Sequence, residues 1–121
     1  MSKYIFPKSA AGRVTKFGVD LTLYNTDESS GVAYEQTELG HLQEWYDDVS
    51  TYQWFIIEGN GIFVLNDVDN SVQAGDLVVV PPKVRIHYFG KMKMVLVTTP
   101  RFDPKNEHQV RLIDPSEVPI K

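Results

Sequence analysis

Short runs of β-branched and aromatic residues, cut at regular intervals by turn signals, constrain this chain more than any other feature. Val19–Tyr24 (VDLTLY) and Val32–Glu38 (VAYEQTE) alternate with a period near two. Trp54–Ile57 (WFII), Ile62–Leu65 (IFVL), Leu77–Val80 (LVVV) and Met94–Thr99 (MVLVTT) are dense in residues that suit a pleated surface. Polar and glycine-rich stretches separate them: Gly59-Asn60-Gly61 reads as a tight hairpin, followed by Asp67–Ser71, Ala74–Asp76 and Val80–Lys83. Spacing of about 8–12 residues between turn signals is the cue for an all-β sandwich or barrel. No stretch before residue 103 sustains a helical period. Asp103-Pro104 predicts one capped helical turn through about His108, and Asp114–Lys121 reads as a coil tail along the surface.

At 121 residues the chain predicts a single domain that buries enough surface to fold without a staple. Its 12 Lys+Arg and 16 Asp+Glu leave a net charge of −4 with no basic cluster, so nucleic acids and anionic membranes are not expected partners. Cysteine is absent, which excludes disulfides, thiolate nucleophiles and Cys-ligated metals. Met1–Phe17 carries no apolar run of signal-peptide length and no stretch is long enough to span a bilayer, so the expected location is the cytoplasm.

Trp54–Ile57 and Leu77–Val80 are apolar on both faces, whereas a wall with one wet face alternates. The outer face of these strands is therefore expected to be covered, by a second sheet or by another copy of the chain. A homodimer is the expected assembly.

Two stretches resemble the paired motifs of the cupin superfamily. The first, Tyr46–Gly61, ends in aromatic–aliphatic–aliphatic–Glu–Gly–x–Gly, here Phe55–Gly61. The second, Ala74–His87, runs Gly-Asp, apolar strand, Pro, turn, His. Pro100–Pro104 after the last strand also resembles the C-terminal edge of small single-domain cupins. The resemblance implies an all-β, double-stranded β-helix (jelly-roll) cupin barrel with a short C-terminal helical turn and coil tail, and an interior able to hold a metal or small ligand. The barrel core is expected over about 19–100, with a C-terminal extension over 101–121.

Metal-bearing cupins use His-x-His, a Glu three or four positions on, and the His of the second motif. Counting back from Phe55 puts Tyr52 at the Glu position and Tyr46-Asp47-Asp48, or Trp45-Tyr46-Asp47, at His-x-His. Only His87 matches in kind, with Asp48 and His41 as further candidate ligands, so the metal motif is degenerate; a divalent transition metal is the candidate cofactor. By alternation His41, Gln43 and Trp45 share one face and Leu42, Glu44 and Tyr46 the other; which faces inward is open.

The expected ligand-binding residues are Tyr46, Tyr52, Trp54, Arg85 and His87, with Tyr88 or Phe89 joining from the following strand. Arg85 is expected at the mouth, or paired with Asp48, Glu44 or a ligand anion. The expected function is binding of a small polar or aromatic ligand, of sugar or carboxylate type, inside the barrel. A second reading is a cupin enzyme, either a sugar isomerase or epimerase-like catalyst with His87 and Tyr52 as acid–base pair, or a metal-dependent dioxygenase, isomerase or lyase. A third is a packed-shut assembly or regulatory module.

Overall fold

The computed structural model describes residues 4–119. Its strands are β1 (Gly12–Lys16), β2 (Val19–Tyr24), β3 (Gly31–Thr37), β4 (Gly40–Asp47), β5 (Thr51–Leu65), β6 (Val68–Gln73), β7 (Leu77–Val80), β8 (Ile86–Phe89), β9 (Met92–Thr99) and β10 (Glu107–Leu112). Helical structure among the described residues is confined to single 3-10 turns at Lys8–Ala10, Pro104–Asn106 and Pro115–Glu117. One wall runs β1-β2-β3-β9-β5-β7 and the other β10-β4-β8-β5-β6, all antiparallel. The two walls curl into the jelly-roll barrel implied by the paired motifs.

The long strand β5 belongs to both walls. Its first half pairs with β9 and β7, its second half with β8 and β6. Gly59-Asn60-Gly61, expected as a hairpin, is instead the place where this strand bends from one wall to the other. The register with β9 shifts between Ile56 and Glu58, and Gly59 sits at φ 93°, which a side chain resists. The hairpin lies further on, at Asn66-Asp67, both with positive φ, between β5 and β6.

The C-terminal region also departs from expectation. Asp103 caps only one 3-10 turn, its side chain accepting from the Lys105 N–H. The chain then pairs as β10 along β4, so His108 is on a strand rather than a helix. The tail beyond it adds a capped turn, in which Asp114 accepts from Ser116 and Glu117 accepts from the Asp114 N–H.

The main core fills the barrel interior with Trp45, Tyr52, Trp54, Ile56, Phe63, Ile86, Tyr88 and Met94 among others. A smaller cluster of Val64, Phe89, Ile113 and Val118 lies between the outside of the β4-β8-β5 wall and the C-terminal segment. Elsewhere the outer face stays bare. Phe55, Ile57, Leu77 and Val79 are each about half exposed, so no second sheet among the described residues covers them.

Gly40 opens β4 at φ 130°, and a Cβ there would lie 2.1 Å from the Tyr88 carbonyl oxygen. That contact is with backbone of a paired strand and cannot relax cheaply. Gly40→Ala is expected to cost roughly 2–4 kcal/mol in urea unfolding. A cost below about 1 kcal/mol would mean that β4 and β8 do not approach this closely.

Candidate functional site

Inward-facing side chains from most strands leave a cavity of about 250 Å³ open at one end of the barrel. That is near the lower end of small-molecule sites, roughly 300–1,000 Å³. Its deep part is formed by Glu35, His41, Trp45, Tyr52, Trp54 and Tyr88, and Lys16 and Glu107 also line it. The exposed Val14, Val32, Arg101 and Phe102 border the opening.

Each deep residue is placed by strand alternation. On β4, His41 and Trp45 point inward, which settles the open register: Trp45 is interior and Tyr46 is not. The His41 ring lies 4.1 Å from the Trp45 ring and 5.6 Å from that of Tyr88. Its Nδ1–H donates to the Gln43 carbonyl at 3.1 Å, leaving Nε2 as the acceptor. Burial pushes the imidazole down to about 3, so it is neutral at physiological pH.

On β3 the inward residues are Ala33, Glu35 and Thr37. Glu35 is 1% exposed and has no ion-pair partner within 4 Å among the described residues. Its two oxygens accept from neutral donors, Oε1 from the Trp54 indole N–H at 3.2 Å and Oε2 from the Tyr88 hydroxyl through a short hydrogen bond. Burial pushes its carboxyl up to about 7 against these two bonds. Tyr88 is raised well above its ordinary range by burial and by the adjacent Glu35. Tyr52 donates to Asp47 Oδ2 at 3.1 Å and is likewise raised, first by burial.

Tyr52 and Trp54 therefore lie in the cavity, as the motifs implied, and His41 joins them. Tyr88, expected from the following strand, lies there too, whereas Tyr46, Asp48, Arg85 and His87 do not. β8 alternates so that Ile86 and Tyr88 enter the barrel, while His87 and Phe89 point to the opposite side of the wall. His87 is buried there beneath the C-terminal segment, its Nδ1 4.0 Å from Glu44 Oε2 and without a hydrogen bond. Burial lowers its pKa.

Arg85 leaves the cavity altogether, binding Glu44 at 3.0 Å and Asp67 at 2.7 Å. Arg111 of β10 adds a second cation to the buried Glu44 at 3.3 Å and also reaches Glu117. Tyr46 stacks on His108, which bonds Asp48 at 2.5 Å on the outer side of β4 and β10.

The candidate metal ligands are thus separated. His41 is inside the cavity, His87 is behind the wall and Asp48 is beside β10. Among the described residues no three His, Asp or Glu side chains converge as a metal site. The acid–base pair His87 and Tyr52 is divided by the same wall.

Glu35, Lys16 and Glu107 were not singled out from the sequence. Glu35 carried one signal, its place in the period-two pattern of VAYEQTE. That pattern does not say which face is inward, and the larger apolar residues Val32 and Tyr34 are on the other one.

Neither the family models nor the curated proteins contain a match to this chain. Solved structures do. Pac13, a nucleoside dehydratase, is 41% identical, with a TM-score of 0.94, over 98% of this chain and 100% of its own. A Streptomyces Pac13 variant with uridine, carrying glutamine in place of a histidine, is 40% identical with a TM-score of 0.95 over 98% of this chain and 100% of that one. Two further uridine-bound variants replace a tyrosine with phenylalanine. Oxalate decarboxylase from Bacillus subtilis shares the fold at 14% identity and a TM-score of 0.74, over 87% of this chain and 31% of that one. No helix among the described residues is long and apolar enough to cross a membrane. The paired motifs, the jelly-roll and the near full-length match to Pac13 agree: the chain belongs to the cupins, in the group of small members that includes Pac13.

Proposed function

We propose that this cupin binds a nucleoside in its barrel and removes water from it by acid–base catalysis, with His41 as base. The observation that carries this reading is a matched spacing. His41 and Tyr88 line the same cavity 47 positions apart, as are the histidine and one of the tyrosines replaced in the uridine-bound Pac13 variants. In a dehydration the neutral His41 Nε2 accepts a proton from a ligand carbon. The Tyr88 hydroxyl gives its proton to the departing hydroxyl group, which leaves as water, and the proton held on His41 then restores Tyr88 through solvent.

One departure supports a second reading. The other replaced tyrosine, 13 positions after the histidine, corresponds to Trp54 here. An indole offers a donor but no acidic hydroxyl. A chain that binds the nucleoside without transforming it is consistent with that change.

The two readings share a first test. Uridine at millimolar concentration is expected to raise the melting temperature in a concentration-dependent way, because it binds only the folded barrel. If neither uridine nor cytidine, adenosine or guanosine shifts the melt, both readings fall. Mass spectrometry of the incubated ligand then separates them, since dehydration removes the mass of one water.

We further infer that the bare outer face of β5 and β7 is the homodimer surface. Phe55, Ile57, Leu77 and Val79 make it apolar, and none of the described residues covers it. Light scattering should give twice the monomer mass, and Phe55→Glu with Leu77→Glu should give the monomer. A monomeric parent at micromolar concentration removes this inference. The cytoplasm remains the expected location.

A further inference from the structure

Glu35 is an unpaired acid at the bottom of the cavity, and the proposed reaction does not use it. The groups facing it come from several strands: Tyr88 on β8, Trp54 on β5, His41 on β4 and Lys16 on β1. Its sheet neighbours β2 and β9 place the apolar Leu21 and Met94 opposite it. Lys16 acts on it through space and forms no ion pair with it.

The hydrogen-bond inventory makes this arrangement directional. A phenol has one proton, and Tyr88 commits it to Glu35 Oε2. The indole of Trp54 also has one, committed to Glu35 Oε1. An ionised carboxylate can only accept, so it holds both protons away from the cavity. A neutral carboxyl has a proton of its own to give to the phenol oxygen, which frees the phenolic proton.

We propose that Glu35 is a positioning residue that sets which way the Tyr88 hydroxyl faces, making Tyr88 an acceptor toward the ligand when Glu35 is ionised and a donor when Glu35 is protonated. This inference rests on the nucleoside reading for its ligand, but its proton geometry belongs to the empty barrel as well. Trp54 is part of the device, since its indole keeps Oε1 occupied and leaves Oε2 to Tyr88. The upward displacement of the Glu35 carboxyl to about 7 puts the change within reach of ordinary buffers. His41 stays neutral throughout that range and does not add a step of its own.

The first experiment needs no ligand. The Trp54 indole N–H resonance, assigned by its loss in Trp54→Phe, is followed from pH 5.5 to 8.5. A titration with a midpoint near 7 is expected, absent in Glu35→Gln and moved to higher pH in Tyr88→Phe, where the carboxylate loses a donor. An indole signal that does not titrate in the parent protein overturns the proposal.

The second experiment measures uridine affinity by calorimetry over the same range. It should weaken roughly three- to tenfold from pH 6 to pH 8, the worth of one hydrogen bond. Glu35→Gln, whose amide donates as the neutral acid does, should stay at the low-pH affinity throughout. In Tyr88→Phe the pH step should vanish, and adding Glu35→Gln should change nothing more. A step that persists without Tyr88 overturns the proposal. Should the parent protein bind none of the four nucleosides at any pH, the nucleoside reading falls, and the indole titration with its Tyr88→Phe shift decides this one alone.

Discussion

Replacing Glu35 with glutamine is expected to stabilise the protein by about 3 kcal/mol at pH 8 and to change it little at pH 4. The sign follows from the protons bound in each state. Unfolded, the carboxyl has its ordinary value of 4.5; folded, burial raises it to about 7. Between these values the folded state holds a proton that the unfolded state has lost, so stability falls as pH rises. Glutamine has no proton to lose, while its oxygen accepts from Trp54 and its amide donates to the Tyr88 oxygen. The difference between variant and parent should therefore be near zero below pH 4.5 and level above about 7.

His41 has the opposite sign. Its folded value lies near 3 and its ordinary value at 6.5, so the unfolded state takes up a proton as pH falls through 6.5 and stability is lost below it. Over about pH 4.5–6.5 the two slopes oppose each other in the parent. Glu35→Gln should expose the His41 slope there, about 1.4 kcal/mol per pH unit. Urea unfolding at five pH values measures both. A variant less stable than the parent at pH 8 would show that Glu35 is ionised at little cost.

The largest effect on chemistry is expected at His41. His41→Gln should lower the rate of nucleoside dehydration by about 10²–10⁴-fold, the usual worth of a positioned base. Gln can still donate to the Gln43 carbonyl, so the variant should fold and keep a cooperative melt. The His87→Gln change, behind the wall, should leave the rate within about twofold. A strong rate loss in His87→Gln with a mild one in His41→Gln would reverse the assignment of the base. Single-turnover rates separate this from changes in binding.

The barrel was legible because its strands and paired motifs are local in sequence. The Pro-turn and apolar runs located β7 and β8, and the β5 motif brought Tyr52 and Trp54 inside. What escaped was the direction of single side chains. His87 carries the motif's histidine, yet the pleat of β8 turns it outward and sends Tyr88 in its place. Glu35 was hidden because small or polar residues, Ala33, Glu35 and Thr37, occupy the inner face of β3 while Val32 and Tyr34 face out. A cavity needs space and polar groups, so the usual equation of bulk with burial fails around it. Gly59 misled for a related reason, since a glycine permits a bend within a strand as readily as a reversal of the chain. In the C-terminal tail, strand β10 went unread because its amphipathic pattern is short and is broken by a register shift against β4.

That tail is the part of the molecule easiest to misjudge at the bench. Its strand carries Glu107 into the cavity lining and Arg111 to the buried Glu44. Trimming the protein after the last long strand, or letting a protease nick it near Pro104, would remove a wall rather than a loose end. A shortened version that seemed well behaved would then bind differently for reasons unrelated to its deep aromatic residues.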